Sequence, residues 1–244
     1  MKLFRSFWVV LNLLIATIIC GTIVILIGPF DHQKKTIGPI ARFWARWVVK
    51  STGIRTKVSG LENLNKGQRY IFAGNHESAL DIPVAIASLP INPVFLAKKE
   101  LFNIPIFGWA LMAAGMIRVD RQNRDRAKKS VDQAVAVLHS REVSVIIYPE
   151  GTRSLDKNLL PFKKGGFLLA IRAGLPVVPI TILGAQNRIS KKSFTINPGE
   201  IEFIVDKPIP TSNMDDSDRD NLLTQVRQVI QLRKNEYFQS AFSG

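Results

Sequence analysis

Along the chain the spacing of apolar residues changes twice. From Phe7 to Phe30 there are 24 residues without a charge. As a helix they reach about 36 Å, beyond the roughly 30 Å hydrocarbon core of a bilayer. Lys2 and Arg5 imitate the start of a signal peptide, but the run is too long for one and no small-x-small cleavage site closes it before Pro29. Pro29 and Asp31 end the segment. A second helix is predicted from about Ile37 to Ser51. There Arg42, Arg46 and Lys50 recur at every fourth position, while Ile40, Phe43, Trp44, Trp47 and Val48 cover the other side. A cationic stripe opposite aromatic residues fits a helix lying at a bilayer surface. A helix packed on a soluble body with a solvated basic stripe has the same pattern.

After residue 52, short apolar runs alternate with segments of helical period. Strands are predicted near 55–59, 69–74, 93–97, 116–119, 143–148, 176–183, 193–196 and 201–205. Helices are predicted near 82–89, 104–114, 123–140, 165–173 and 217–238. Such alternation predicts an α/β fold, a mixed sheet covered by helices. The chain thus divides into a membrane-associated two-helix anchor, 1–52, and an α/β domain, 53–244.

Charge sharpens this division. The formal net charge is +14, and the first 60 residues hold nine Lys or Arg against the single acid Asp31. Such a balance calls for an anionic partner: phospholipid, nucleic acid or an acidic carrier. The one cysteine, Cys20, excludes an intrachain disulfide.

Candidate chemistry gathers where predicted strands end. Asn75-His76-Glu77-Ser78-Ala79-Leu80-Asp81 follows the run at 69–74 and precedes a helix whose first turn holds Pro83. Across that junction the Asp81 carboxylate can reach a ring nitrogen of His76, and a His so held is a general base for a hydroxyl. Ser78-x-x-Asp81 is also a capping box, which would make Asp81 structural. The zinc motif H-E-x-x-H is excluded, because position 80 is Leu. Lys98 ends another strand. Tyr148-Pro149-Glu150-Gly151-Thr152-Arg153-Ser154 follows the run at 143–148. There Gly151 can adopt φ > 0, and Arg153, like Arg121, offers a planar fork suited to phosphate. Taken singly, each of these Arg residues also reads as a solvated surface charge.

In this order the motifs resemble those of the bacterial 1-acylglycerol-3-phosphate acyltransferase family of glycerolipid acyltransferases. The matching blocks are Asn75–Asp81, Gly115–Arg121, Tyr148–Ser154 and Val178–Ile180, within roughly residues 55 to 205. Tyr148 replaces the more common Phe. Arg118 stands where an apolar residue is frequent, and the motif carries over to Arg121 as the phosphate-binding arginine. The resemblance implies acyl transfer from a thioester, on coenzyme A or acyl carrier protein, to the free hydroxyl of lysophosphatidate, giving phosphatidate. It implies His76 as base and Asp81 as its orienting partner. Arg121 and Arg153 then hold the phosphate, Glu150, Gly151 and Thr152 shape the acceptor site, and Lys98 or loop amides meet the oxyanion. It implies direct transfer with no acyl-enzyme, no metal and no cofactor beyond the thioester co-substrate. The helical stretch with Ile104, Phe107, Trp109, Leu111 and Met112 reads as either an acyl tunnel or ordinary core. The setting implied is the cytoplasmic membrane, with the catalytic domain on its cytosolic face among membrane phospholipids and no nucleic acid. Because every motif lies after residue 52, deletion of the anchor is expected to spare the chemistry. Rival readings are an acyltransferase for another acceptor, such as glycerol 3-phosphate, another lysophospholipid or a lyso-aminolipid, and a non-catalytic basic membrane-binding protein.

Overall fold

The apolar runs after residue 52 become strands of one sheet. The computed structural model describes residues 2–119, 124–154, 158–189 and 195–242. Two helices come first, α1 (Lys2–Ile27) and α2 (Ile37–Thr52). The body follows as β1 (Ile54–Ser59), β2 (Ile71–Gly74), α3 (Asp81–Ser88), β3 (Pro93–Lys98), α4 (Phe107–Ala113), β4 (Ile117–Val119) and α5 (Arg124–Ser140). It continues with β5 (Ser144–Ile147), α6 (Gly165–Ala173), β6 (Val177–Leu183), α7 (Ala185–Arg188), β7 (Gly199–Val205) and α8 (Arg219–Phe242). The strand order is β1-β7-β6-β2-β5-β3-β4. Among the described strands β6 and β7 pair antiparallel and the other neighbours are parallel, so the sheet is mixed.

Helices cover both faces of the sheet, because its central strands are apolar on both sides. Phe72, Ile146, Ile180 and Phe203 pack with Val84, Ala85 and Ile86 of α3 and Ala45 of α2. On the other face Ile71, Ala73, Val145 and Ile147 meet Val131 and Ala134 of α5, Phe167 and Leu169 of α6, and Leu222, Val226 and Ile230 of α8.

Two expectations change. The run at 193–196 is no strand where it is described: residues 190–194 lie outside the described residues, Thr195 and Ile196 belong to no strand, and β7 begins at Gly199. The helix expected from 104 starts three residues later. A 3-10 turn (Lys99–Asn103), Pro105 and Ile106 at φ 62° precede it.

The hairpin of α1 and α2 is bonded both to itself and to the body. Trp44 Nε1 donates to Thr17 Oγ1 (3.1 Å) and Trp47 Nε1 to Asn12 Oδ1 (3.0 Å). Lys34, in the turn between them, is buried at φ 57°. Its ammonium donates to the terminal carbonyls of two helices, Gly28 O beyond α1 and Ala113 O of α4, both at 2.9 Å. A cation at helix C-termini also opposes their partial negative charge. Asp31 caps α2 by accepting from the N–H groups of Lys35, Thr36 and Ile37. Thus α2 is packed between α1 and α3, with Ala45 and Val48 buried. Arg42 leaves the presumed basic stripe, since its guanidinium bonds Ile91 O in the α3–β3 connection. Arg46 and Lys50 stay exposed.

Candidate active site

β2, β5 and β3 lie side by side and parallel, so their C-terminal ends share one edge, where an open α/β sheet gathers its ligands. At the end of β2, Asn75 is fully buried and bonds β6 twice. Its Nδ2 donates to Ile182 O and its Oδ1 accepts from Ile182 N, each at 2.8 Å. The loop therefore leaves the sheet from a fixed point. His76 Nδ1 meets Asp81 Oδ2 at 2.7 Å. The same oxygen accepts the N–H groups of Glu77 (2.7 Å) and Ser78 (2.8 Å). Asp81 thus bonds back to Ser78 N–H, one half of a capping box, and also holds the imidazole, while the Ser78 hydroxyl donates to Ile189 O. A carboxylate only accepts, so the neutral imidazole that satisfies this contact is the tautomer with its proton on Nδ1 and its lone pair on Nε2. The Asp81 side chain is fully buried while that of His76 is 15% exposed, so the acid is shielded and the ring can be reached.

The turn after β5 grips this loop from behind. Glu150 is buried; its Oε1 accepts His76 N–H (2.7 Å) and its Oε2 accepts Leu160 N–H (2.9 Å). Ser154 N–H returns to His76 O at 2.8 Å. Burial pushes the Glu150 carboxyl up, against the pull of the two N–H groups. In this arrangement the Glu150 carboxylate holds the His76 peptide. Gly151, at φ 72°, makes the turn tight enough for its N–H to donate to Tyr148 O at 3.0 Å. That engages the Gly151 amide, so among the loop amides it is not the free oxyanion donor. The Tyr148 ring stacks on His76 with centroids 4.5 Å apart and 23° between planes.

His76 borders a cavity of about 460 Å³. Its wall is mostly apolar and comes from both parts of the chain: Thr17, Gly21 and Val24 of α1, Trp44 of α2, and Phe107 and Leu111 of α4. Lys98, Gly151 and Lys163 lie at the wall with His76. Of the five helix residues read as tunnel or core, Phe107 and Leu111 line the cavity, whereas Ile104, Trp109 and Met112 are exposed. Among the described residues no three His, Cys, Asp or Glu side chains group as metal ligands.

The family model described as Acyltransferase matches residues 55–183, from β1 through β6. The 1-acyl-sn-glycerol-3-phosphate acyltransferase of Limnanthes douglasii is 34% identical over 229 residues, covering 93% of this chain and 79% of its own length. The chain belongs to the 1-acylglycerol-3-phosphate acyltransferase family. The alpha form of that enzyme from Homo sapiens is 34% identical over 175 residues, 72% of this acyltransferase and 62% of the human chain. The crystal structure of the 1-acyl-sn-glycerophosphate acyltransferase from Thermotoga maritima superposes with a TM-score of 0.83, covering 97% of this chain and 95% of that one. At 24% identity it shows that the fold is shared.

In this acyltransferase the expected residues separate into three groups. His76, Lys98 and Gly151 meet at the cavity, with Asp81 and Glu150 buried behind the imidazole. Thr152 is exposed and Arg153 half-buried, and neither is among the described residues lining the cavity. Arg121 lies outside the described residues. Arg118, its neighbour in the motif, is exposed and holds its guanidinium 4.8 Å from the centroid of the Phe102 ring. Sequence reading missed Lys163, the Tyr148 stack and a buried ion pair between Glu77 and Lys234. The Gly165-Gly166 pair opening α6 beside Lys163 was the available sign, because a Cβ at Gly166 would stand 2.3 Å from Ile147 Cδ1.

Proposed function

We propose that this chain acylates lysophosphatidate to phosphatidate with His76 as general base. The observation that carries this reading is the 2.7 Å contact with buried Asp81 of His76 Nδ1, in a residue that borders an apolar cavity. An alcohol is a weak nucleophile at neutral pH, so its proton must leave as it attacks. The acceptor hydroxyl donates to Nε2, its oxygen adds to the thioester carbonyl, and the proton passes to the imidazole. Asp81 stabilises the imidazolium. The tetrahedral oxyanion is met by Lys98. Its collapse expels the thiolate, which recovers the proton from His76 and leaves as thiol. No acyl-enzyme forms. The apolar cavity takes the acyl chain, while Arg121 and Arg153, with Lys163 at the wall, attract the acceptor phosphate. The donor is a thioester of coenzyme A or of acyl carrier protein. The relatives' names support the substrate, and α1, long and apolar enough to cross a membrane by length and composition, supports a membrane setting, in which we propose that the body lies on the cytosolic face.

The test is thioester consumption that depends on lysophosphatidate, run with a panel of acceptors and both donors. His76→Ala is expected to lower kcat by ~10²–10⁴-fold in a folded protein. Asp81→Asn is expected to be severe as well, because it supports the wrong tautomer. A folded His76→Ala enzyme with near-normal turnover sinks the mechanism.

A further inference from the structure

The inner stripe of α8 runs Leu222, Val226, Ile230, each fully buried, and its next member at the same spacing is Lys234. A helix facing a core calls for an apolar residue there. Lys234 is instead 1% exposed, and its ammonium pairs with Glu77, the residue after His76. The same Glu77 oxygen accepts Asn75 Nδ2 at 3.2 Å. The pair therefore lies across the His76 loop on the side away from the cavity, in a helix beyond the stretch that the family model matches. Removing two charges from water is costly unless each cancels the other, so such a pair is weak as a stabiliser and strong as a constraint.

We propose that Lys234 is a positioning residue for His76: by cancelling the buried Glu77 charge it keeps that charge from displacing the Asn75–Ser78 loop and from acting on the Asp81–His76 pair. This rests on His76 being the base. Three carboxylates converge here: Glu77 on the loop, Asp81 at the start of α3 and Glu150 on the turn after β5. Lys234 is the cation from α8 that faces Glu77, and its charge reaches Glu150 as well. Burial pushes the Glu77 carboxyl up, and the Lys234 charge and hydrogen bond pull it down. Without Lys234, burial pushes the Glu77 carboxyl further up, and the charge it retains adjoins the loop and favours the protonated imidazole. Without Glu77, an uncancelled ammonium favours the neutral one.

The experiment measures kcat and KM against pH for Lys234→Met, Glu77→Gln, the double variant and His76→Ala, each corrected for folded fraction. Lys234→Met is expected to raise the pH of half-maximal kcat by about one unit, the scale of a nearby uncancelled charge. Its kcat at pH 7 falls about tenfold as the ring is misplaced, with KM for both substrates within about twofold of wild type. Glu77→Gln moves the half-maximal pH the opposite way, and the double variant restores it. A merely structural pair would lower the folded fraction and leave that pH unmoved in both single variants, which overturns the proposal. Where a single variant does not fold, the double decides. A folded double with wild-type kcat and half-maximal pH supports charge cancellation. A double that does not fold, or folds with kcat down about tenfold, overturns it. His76→Ala separates the two levels: if it is inactive while the half-maximal pH stays fixed, only the role of Lys234 fails. If it is active, the base assignment fails.

Discussion

Tyr148 shows how one residue can satisfy packing and leave a polar atom stranded. Its ring supports the imidazole, but among the described residues its hydroxyl is buried without a hydrogen-bond partner. An unmade buried hydrogen bond costs about 1–3 kcal/mol. Tyr148→Phe keeps the stacking ring, so it is expected to raise stability by about 1 kcal/mol, read from the denaturant midpoint. Burial, and then the charge of Asp81, push the phenol well above its ordinary value near 10. The fold therefore favours the neutral phenol. That contribution is complete below the unfolded value and is lost as pH rises through the folded one. The variant should lose less stability than wild type above about pH 10; identical alkaline curves would refute this. At this scale the site was half legible. His76 and Asp81 stand five positions apart at a strand-to-helix junction, so the sequence brings them together. Glu150 and Lys234 act on the same loop from 74 and 157 residues away. Neither partner's identity is implied by its neighbours in sequence, and a carboxylate beside arginines reads more simply as a substrate contact.

Among the elements, the strands were the clearest, because buried parallel strands leave nearly continuous apolar runs such as Val143–Ile147, interrupted by Ser144. Helix α2 was ambiguous for a physical reason: Trp and Arg suit a bilayer surface and a packed interface equally well. Its tryptophans bond α1 and its Arg42 bonds the body, so one element serves as both brace and surface. The turn before it depends on Lys34. Lys34→Met removes both donors from buried carbonyls and is expected to destabilise the protein by about 1–3 kcal/mol. It should also loosen α1 from α4, which hydrogen exchange at Ala113–Met116 would report as faster exchange. Unchanged exchange there, with unchanged stability, would mean that packing of Val24 and Ile37 against Ala114 suffices.

For the whole molecule the cavity decides what the first 52 residues are for. Every motif lies beyond them, which made the anchor look dispensable for chemistry. The wall formed by α1 and α2 gives those residues a part in the cavity as well. Deletion of residues 1–52 is expected to release the body from membranes and also to lower kcat/KM for a soluble short-chain acceptor by at least about tenfold, because Ile86, Phe95 and Met116 would then face water. Full activity of the truncated body on that acceptor would return the anchor to a mere tether. Charge reversal at Arg46 and Lys50 should reduce activity on anionic vesicles more than in neutral detergent, since each cation contributes about 1 kcal/mol near an anionic leaflet. A further consequence follows for how such a chain can be rebuilt. Under the proposed function, a chimera carrying a foreign apolar helix in place of α1 would keep its address in the cell and lose the shape of its chamber, because Thr17, Gly21 and Val24 also line the cavity. Residence and selectivity would then be inherited together, and a lineage that altered one by exchanging its first helix would have to re-cut the other.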